Sequence, residues 1–215
     1  MVETYLQSKD PRRRESSFDL VAGALCLDFI NTLDDRFTKQ PKELLKQYHD
    51  LVRFGEDTGT LDIRIVDALL LRRARQPEDA KQVLEIAITV REAMFAVFDA
   101  IVKKKPIPEG PMVRVNQFIQ YAGRHARLVP GDGRFEWRFD VPPFDLETPL
   151  SPIALSVANL LSSDQLPLVR TCASETCQWF FLDTSKNHGR RWCDMTKCGN
   201  RAKFRRFYSR NKKSG

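Results

Sequence analysis

Four of the chain's five cysteines lie close together near its C-terminal end. They follow the pattern C-x4-C-x15-C-x4-C at Cys172, Cys177, Cys193 and Cys198. A cysteine thiolate is a soft ligand, and four thiolates arranged tetrahedrally suit a structural zinc ion. Two close pairs separated by a loop let the chain leave the metal and return to it. The spacing therefore predicts a Zn²⁺ site.

Two other interpretations of these cysteines are weaker. Disulfides need an oxidising compartment, whereas the chain opens MVETYLQSKDPRRRESS, without the apolar core of a signal peptide, and has no apolar run long enough to span a membrane. We therefore expect a cytoplasmic protein with no membrane partner. Four unrelated thiols would not fall into two equally spaced pairs. His188 is a less favoured ligand because four thiolates complete a site, and Cys26 is expected to be a buried small hydrophobe.

Positive charge is concentrated in the same region. The 215 residues carry a net charge of +7, but residues 170–215 hold 12 Lys and Arg against three Asp and Glu, a net +9. The first 169 residues hold 23 against 25, a net −2. This asymmetry favours a polyanionic partner, above all nucleic acid, over a merely solubilising charged face.

Several side chains are candidates for that contact. Lys and Arg bind phosphates, and Arg and Asn read base edges. Asn200 and Arg201 follow the last cysteine after one glycine, and a structural role is equally plausible for both. The candidates are Arg190, Arg191, Asn200, Arg201, Lys203, Arg205, Arg206 and Arg210.

The elements around the cysteines are predicted as a strand and a helix. The aromatic run at 179–181 is typical of a strand leaving the metal, and its large side chains are expected to cover the site. Good helix formers follow Cys198. A strand pair carrying one ligand pair and a helix opening at the other is the layout of a treble-clef-like finger.

The rest of the chain is predicted to be mainly helical. Apolar periodicity indicates a buried helix in 18–33 and helices at about 41–55, 62–75, 78–103 and 111–124, and a final helix capped by Ser151. Alternating runs around Pro-Gly-Asp-Gly at 130–133 indicate a hairpin. The expected fold is mainly α with a small β-hairpin (α+β). It comprises a disordered arm (1–16), a helical domain (17–165), the finger (166–210) and a basic tail (211–215).

Asp28, Asn31 and Thr32 have the spacing of one helix face. They would either line a polar ligand pocket or hydrogen-bond a neighbouring loop and fix how the first helix docks, and the second alternative is favoured. No Ser/His/Asp arrangement, glycine-rich phosphate loop or HExxH motif is present, so no enzymatic activity is expected.

The run WFFLDTSKNHGRRWCDMTKCGNRAKFRR closely resembles the CGNR zinc finger, named for the tetrad Cys198-Gly199-Asn200-Arg201. The segment 27–32 (LDFINT) and the long helix from Pro77 resemble the ABATE domain that precedes this finger in bacterial proteins. The resemblance implies a stress-responsive transcription regulator. Its finger would bind DNA, and its ABATE domain would sense a small-molecule effector or form a homodimer.

The leading hypothesis is therefore a zinc-dependent DNA-binding regulator. In one alternative the finger is a structural or protein-interaction module. In another the partner is RNA, which would require exposed aromatic side chains at 179–181 for base stacking.

Overall fold

The computed structural model describes residues 18–123, 126–133, 135–139 and 145–211. The arm predicted at 1–16 lies outside the described residues, as do residues 212–215 of the predicted tail.

The described residues form seven α-helices and three short antiparallel strand pairs, which confirms the predicted fold class. Each pair joins two strands that follow one another along the chain. The helices are α1 (Leu25–Ile30), α2 (Tyr48–Asp57), α3 (Ile63–Arg75), α4 (Pro77–Val102), α5 (Glu109–Gly123), α6 (Leu150–Leu161) and α7 (Asn200–Asn211). The strands are β1 (Leu33–Asp34), β2 (Lys42–Glu43), β3 (Ala126–Pro130), β4 (Phe135–Phe139), β5 (Val169–Thr171) and β6 (Phe180–Leu182).

Two predicted helix starts were wrong. α2 begins at Tyr48 rather than near residue 41, because the Asp50 carboxylate accepts the backbone N–H of Gln47 at 2.9 Å and fixes the first turn there. The residues before it pair as β2 with β1 instead. α6 begins at Leu150, so Ser151 is a buried residue within the helix and not its cap.

The core is built around α4, whose apolar stripe runs its whole length from Ala80 to Ala100. α1 is buried on every side and packs against both α4 and α6. Arg91 of α4, almost without exposure, donates to both carboxylate oxygens of Glu43 at 2.6 Å and to Thr32 Oγ1 at 3.1 Å. The bonds to Glu43 fix β2 to the central helix, and the bond to Thr32 fixes the residues that follow α1.

The C-terminal strand β6 belongs to the same core. Phe180, Phe181 and Leu182 are all buried, and the Phe180 ring lies 5.4 Å from that of Phe95 and 6.2 Å from that of Phe98, both on α4. The cysteine-bearing segment is therefore packed into the helical body. Among the described residues, no helix is long and apolar enough to cross a membrane.

Candidate metal centre

The four cysteine sulfurs converge on one point. All four side chains are buried and unoxidised, and their Sγ atoms lie within 4.8 Å of one another. The Cys177–Cys193 and Cys193–Cys198 sulfur distances are 3.6 and 3.7 Å. Zinc–sulfur bonds of about 2.3 Å in a tetrahedron place the sulfurs about 3.8 Å apart, whereas a disulfide bond is about 2.05 Å long. The arrangement is that of a tetrahedral thiolate metal site.

The first two ligands sit where the β5–β6 pair turns back on itself. Cys172 donates its backbone N–H to the carbonyl of Trp179 at 2.8 Å, and Cys177 donates to Ser174 at 3.1 Å. Gln178 adopts a left-handed φ of 51°, which sends the chain into β6. A strand pair thus carries these two ligands.

The other two ligands bracket a tight turn that runs into α7. The Asp194 carboxylate accepts the Thr196 N–H at 2.6 Å and the Lys197 N–H at 3.3 Å, at the start of the π-helical turn Met195–Gly199. Asn200 donates from Nδ2 to the Thr196 carbonyl at 2.9 Å and so holds the end of this turn. α7 begins immediately after Cys198 and Gly199.

The protonation of the four thiols is tied together by their proximity. Hydrogen bonds from Cys177 and Cys193 lower the pKa of Cys172, and the backbone amide of Ser174 also favours its thiolate. Burial raises the pKa of Cys198, and the nearby Cys172 charge raises it further. Four thiolates therefore cannot share this buried volume unless a cation balances them, which is the role that a bound divalent metal fills.

His188 lies outside the sulfur cluster. Its side chain is exposed, and Nδ1 is 2.9 Å from the carbonyl oxygen of Asp183. The loop histidine thus holds the turn after β6 and supplies no ligand.

Arg190, a predicted nucleic-acid contact, is engaged inside the finger. Its guanidinium donates to the carbonyls of Trp192, at 2.9 Å, and Cys193, and lies 4.6 Å from the centroid of the Phe181 ring. Holding the carbonyl beside a metal ligand orients that ligand. Arg190 therefore positions Cys193.

Asp183 is a buried acid whose role the sequence analysis did not identify. It accepts the Ser185 N–H at 3.1 Å, the Ser185 hydroxyl, and the Arg190 N–H at 3.0 Å. Burial by itself would raise the pKa of this carboxyl, but these hydrogen bonds outweigh it and lower the pKa. The Asp-Thr-Ser sequence is a turn signal that points to this bonding pattern.

The other predicted nucleic-acid contacts differ in their surroundings. Arg191, Arg201, Lys203 and Arg205 are exposed. Arg201 reaches Thr176 Oγ1 at 3.3 Å, and the Arg191 guanidinium lies 5.4 Å from the centroid of the Trp192 ring. The helix backbone at 206 and 210 is described, but the side chains of Arg206 and Arg210 lie outside the described residues.

The predicted pocket residues Asp28, Asn31 and Thr32 are buried and bonded to protein groups. Asp28 accepts the Ala22 N–H at 3.0 Å, and burial raises the pKa of its carboxyl to about 7. Thr32 donates to the Phe29 carbonyl at 2.7 Å. Asn31 donates to the Phe180 carbonyl at 2.9 Å and accepts the Phe180 N–H at 3.0 Å. These contacts agree with the second alternative, in which the three residues fix how the first helix docks. The segment that Asn31 holds is strand β6 of the finger and not a loop.

A four-cysteine metal site built onto a helical body by a shared strand defines the class of this protein. Residues 169–211 match the CGNR zinc finger, and residues 23–164 match the ABATE family, described as "Putative stress-induced transcription regulator". The second match covers more than half of the chain, so the chain belongs to the ABATE family. A search of curated proteins found no significant match.

Proposed function

We propose that this chain is a zinc-dependent, DNA-binding transcription regulator of a bacterial stress response, acting in the cytoplasm. Four thiolates at tetrahedral separations favour zinc over metals that prefer oxygen ligands or planar geometry. Zinc would crosslink the two halves of the finger and offset the thiolate charge. The proposal assigns the chain a binding role and no catalytic one.

The observation that carries the DNA proposal is the position of α7. The helix leaves the metal site directly after the fourth cysteine and presents Arg201, Lys203 and Arg205 to solvent. A metal-anchored start fixes the direction of this basic helix. Arg201 and Arg205, one turn apart, lie on one face of it, and Lys203 lies on the other side. Arg191 adds a further exposed cation from the loop before Cys193. Such clusters bind phosphates and release counterions.

The aromatic residues bear on the RNA alternative. Trp179, Phe180 and Phe181 retain 9%, 1% and 0% of their surface, so they are buried and not available for base stacking. A structural role for the metal has its own support, because β6 lies in the core of the body. We propose that zinc serves both purposes, stabilising the body and ordering α7.

DNA binding is tested by titrating fluorescent duplex DNA with the zinc-loaded chain at several salt concentrations. We expect the triple variant Arg201→Ala, Lys203→Ala, Arg205→Ala to bind at least about 10-fold more weakly at low salt. Its slope of log affinity against log salt should be shallower by about 2 to 3. The matched control is Arg64→Ala, Arg75→Ala, Lys81→Ala, which removes three cations from the body.

Zinc content, measured for every variant, separates loss of binding from loss of the finger. Equal salt slopes for the two triple variants, or no binding by the parent chain at low salt, would refute the DNA proposal. We propose that the body either senses an effector or forms a homodimer, and sedimentation of the chain with and without DNA tests the second of these roles.

A further inference from the structure

Helix α7 carries an aromatic side chain within its basic surface. Phe204 is exposed over 63% of its surface, and it follows Asn200 by four residues and Arg201 by three. Residues three and four apart are neighbours on a helix, so Phe204 lies beside Arg201, on the side of the helix that also presents Arg205. An exposed ring contributes nothing to electrostatic binding of phosphates, so its position among the arginines calls for a second kind of contact.

The protein itself supplies little cover for this helix. Phe204 belongs neither to the hydrophobic core nor to the partly buried residues packed on that core, and of residues 200–205 only Ala202 is half-buried. The sequence of α7 holds five Lys and Arg and no Asp or Glu. A helix of 12 residues with like charges one turn apart is marginal on its own in water. A polyanion that also offers an apolar group would neutralise the arginines and cover the ring.

The dimensions of a helix select the groove in which this contact can occur. An α-helix with its side chains is about 10 to 12 Å across, and the major groove of B-DNA is about 12 Å wide whereas the minor groove is about 6 Å wide. The major groove of an RNA duplex is too narrow for side chains to read. α7 therefore fits the major groove of duplex DNA. The apolar group that base edges present there is the C5 methyl group of thymine.

We propose that Phe204 contacts a thymine methyl group in the major groove while Arg201 and Arg205 bind the phosphates beside it. The arginines supply affinity that every DNA sequence shares, because phosphates are the same in all of them. Phe204 makes part of the affinity depend on an A·T pair. The inference rests on the proposed DNA binding and names the group on DNA that α7 recognises.

The test compares two duplexes of one A·T-rich sequence that differ only in carrying thymine or deoxyuracil, which lacks the C5 methyl group. We expect the zinc-loaded chain to bind the thymine duplex about 3- to 5-fold more tightly, the factor for burying one methyl group. Phe204→Ala should bind both duplexes equally, and Phe204→Leu should keep part of the preference. Replacing cytosine by 5-methylcytosine in a G·C-rich duplex restores a methyl group in the same groove. This replacement should strengthen binding by the parent chain and leave binding by Phe204→Ala unchanged.

Two control variants separate the methyl contact from other effects. Arg205→Ala should weaken binding to the thymine and uracil duplexes by the same factor and so keep the preference. Phe135→Ala, which removes a similarly exposed phenylalanine from β4, should bind both duplexes as the parent chain does.

Three results would overturn the proposal. They are equal affinities of the parent chain for the two duplexes, a preference that survives in Phe204→Ala, and a loss in Phe204→Ala that is the same on both duplexes. The last result would indicate stacking on bases and not a methyl contact. Salt-dependent binding without any methyl preference removes this inference alone, whereas a parent chain that binds no duplex at low salt removes the DNA proposal as well.

Discussion

Asn31 offers the most direct test of whether the finger and the body fold as one unit. Its amide makes two hydrogen bonds to the backbone of Phe180, 149 residues away, one as donor at 2.9 Å and one as acceptor at 3.0 Å. Asn31→Ala removes both partners and leaves the Phe180 N–H and C=O buried between α1 and α4.

The expected cost follows from those two groups. A buried polar group left without a partner costs about 1 to 3 kcal/mol, so two such groups give about 2 to 6 kcal/mol before any relaxation. Water entering the space left by the amide would reduce this figure, and we expect about 2 to 4 kcal/mol. That is a large fraction of the stability of an ordinary domain.

The assay is urea unfolding of the zinc-loaded chain, followed by tryptophan fluorescence and by zinc release to a chromogenic chelator. In the parent chain both signals should change in one transition because the core is shared. Asn31→Ala should lower the midpoint and speed zinc release. Asn159→Ala on the exposed face of α6 is the matched control and should change stability by less than about 0.5 kcal/mol.

Two results would refute this reasoning. The first is a midpoint for Asn31→Ala that equals that of Asn159→Ala. The second is separate transitions for fluorescence and zinc release in the parent chain, since these would show that the finger opens without the body and that the Asn31 bonds do not couple them.

Three further predictions concern the body and the metal. The folded-state pKa of Asp28, about 7, exceeds its unfolded value of about 4. The contribution of Asp28 to stability is therefore present below about pH 4 and lost as pH rises through 7. In the parent chain this loss lowers the free energy of unfolding by up to about 1.4 kcal/mol per pH unit between pH 5.5 and 7, and Asp28→Asn should remove that slope. Arg91→Met should cost about 3 to 5 kcal/mol in urea unfolding, because Glu43 loses its bidentate partner, whereas Arg64→Met on the surface should have almost no effect. Removing zinc with a chelator should lower the melting temperature of the whole chain, since metal binding supplies on the order of 10 kcal/mol to small zinc modules, and an unchanged melting curve would exclude a structural metal.

The sequence predicted best what local spacing determines. The cysteine pattern located the metal site, and hydrophobic periodicity located α3 and α4 to within about a residue, because both signals are confined to short stretches of chain. The start of α2 was missed since Asp50 overrides the general preference for proline in a first helical turn. The role of Arg190 was missed for a different reason. An arginine suits both a surface contact with phosphate and hydrogen bonds to carbonyls inside the protein, so the residue type does not distinguish the two roles. Only the fold shows that carbonyls and an aromatic ring surround this guanidinium.

The contacts between body and finger connect the metal site physically to the helical core. A finger that hung from a linker could bind DNA, but nothing bound to the body would affect it. Here the body reaches the strand after the second ligand through Asn31, and Lys197, between the last two ligands, pairs with Asp19. An effector that binds the body would change DNA affinity only if it bound the free and DNA-bound forms unequally.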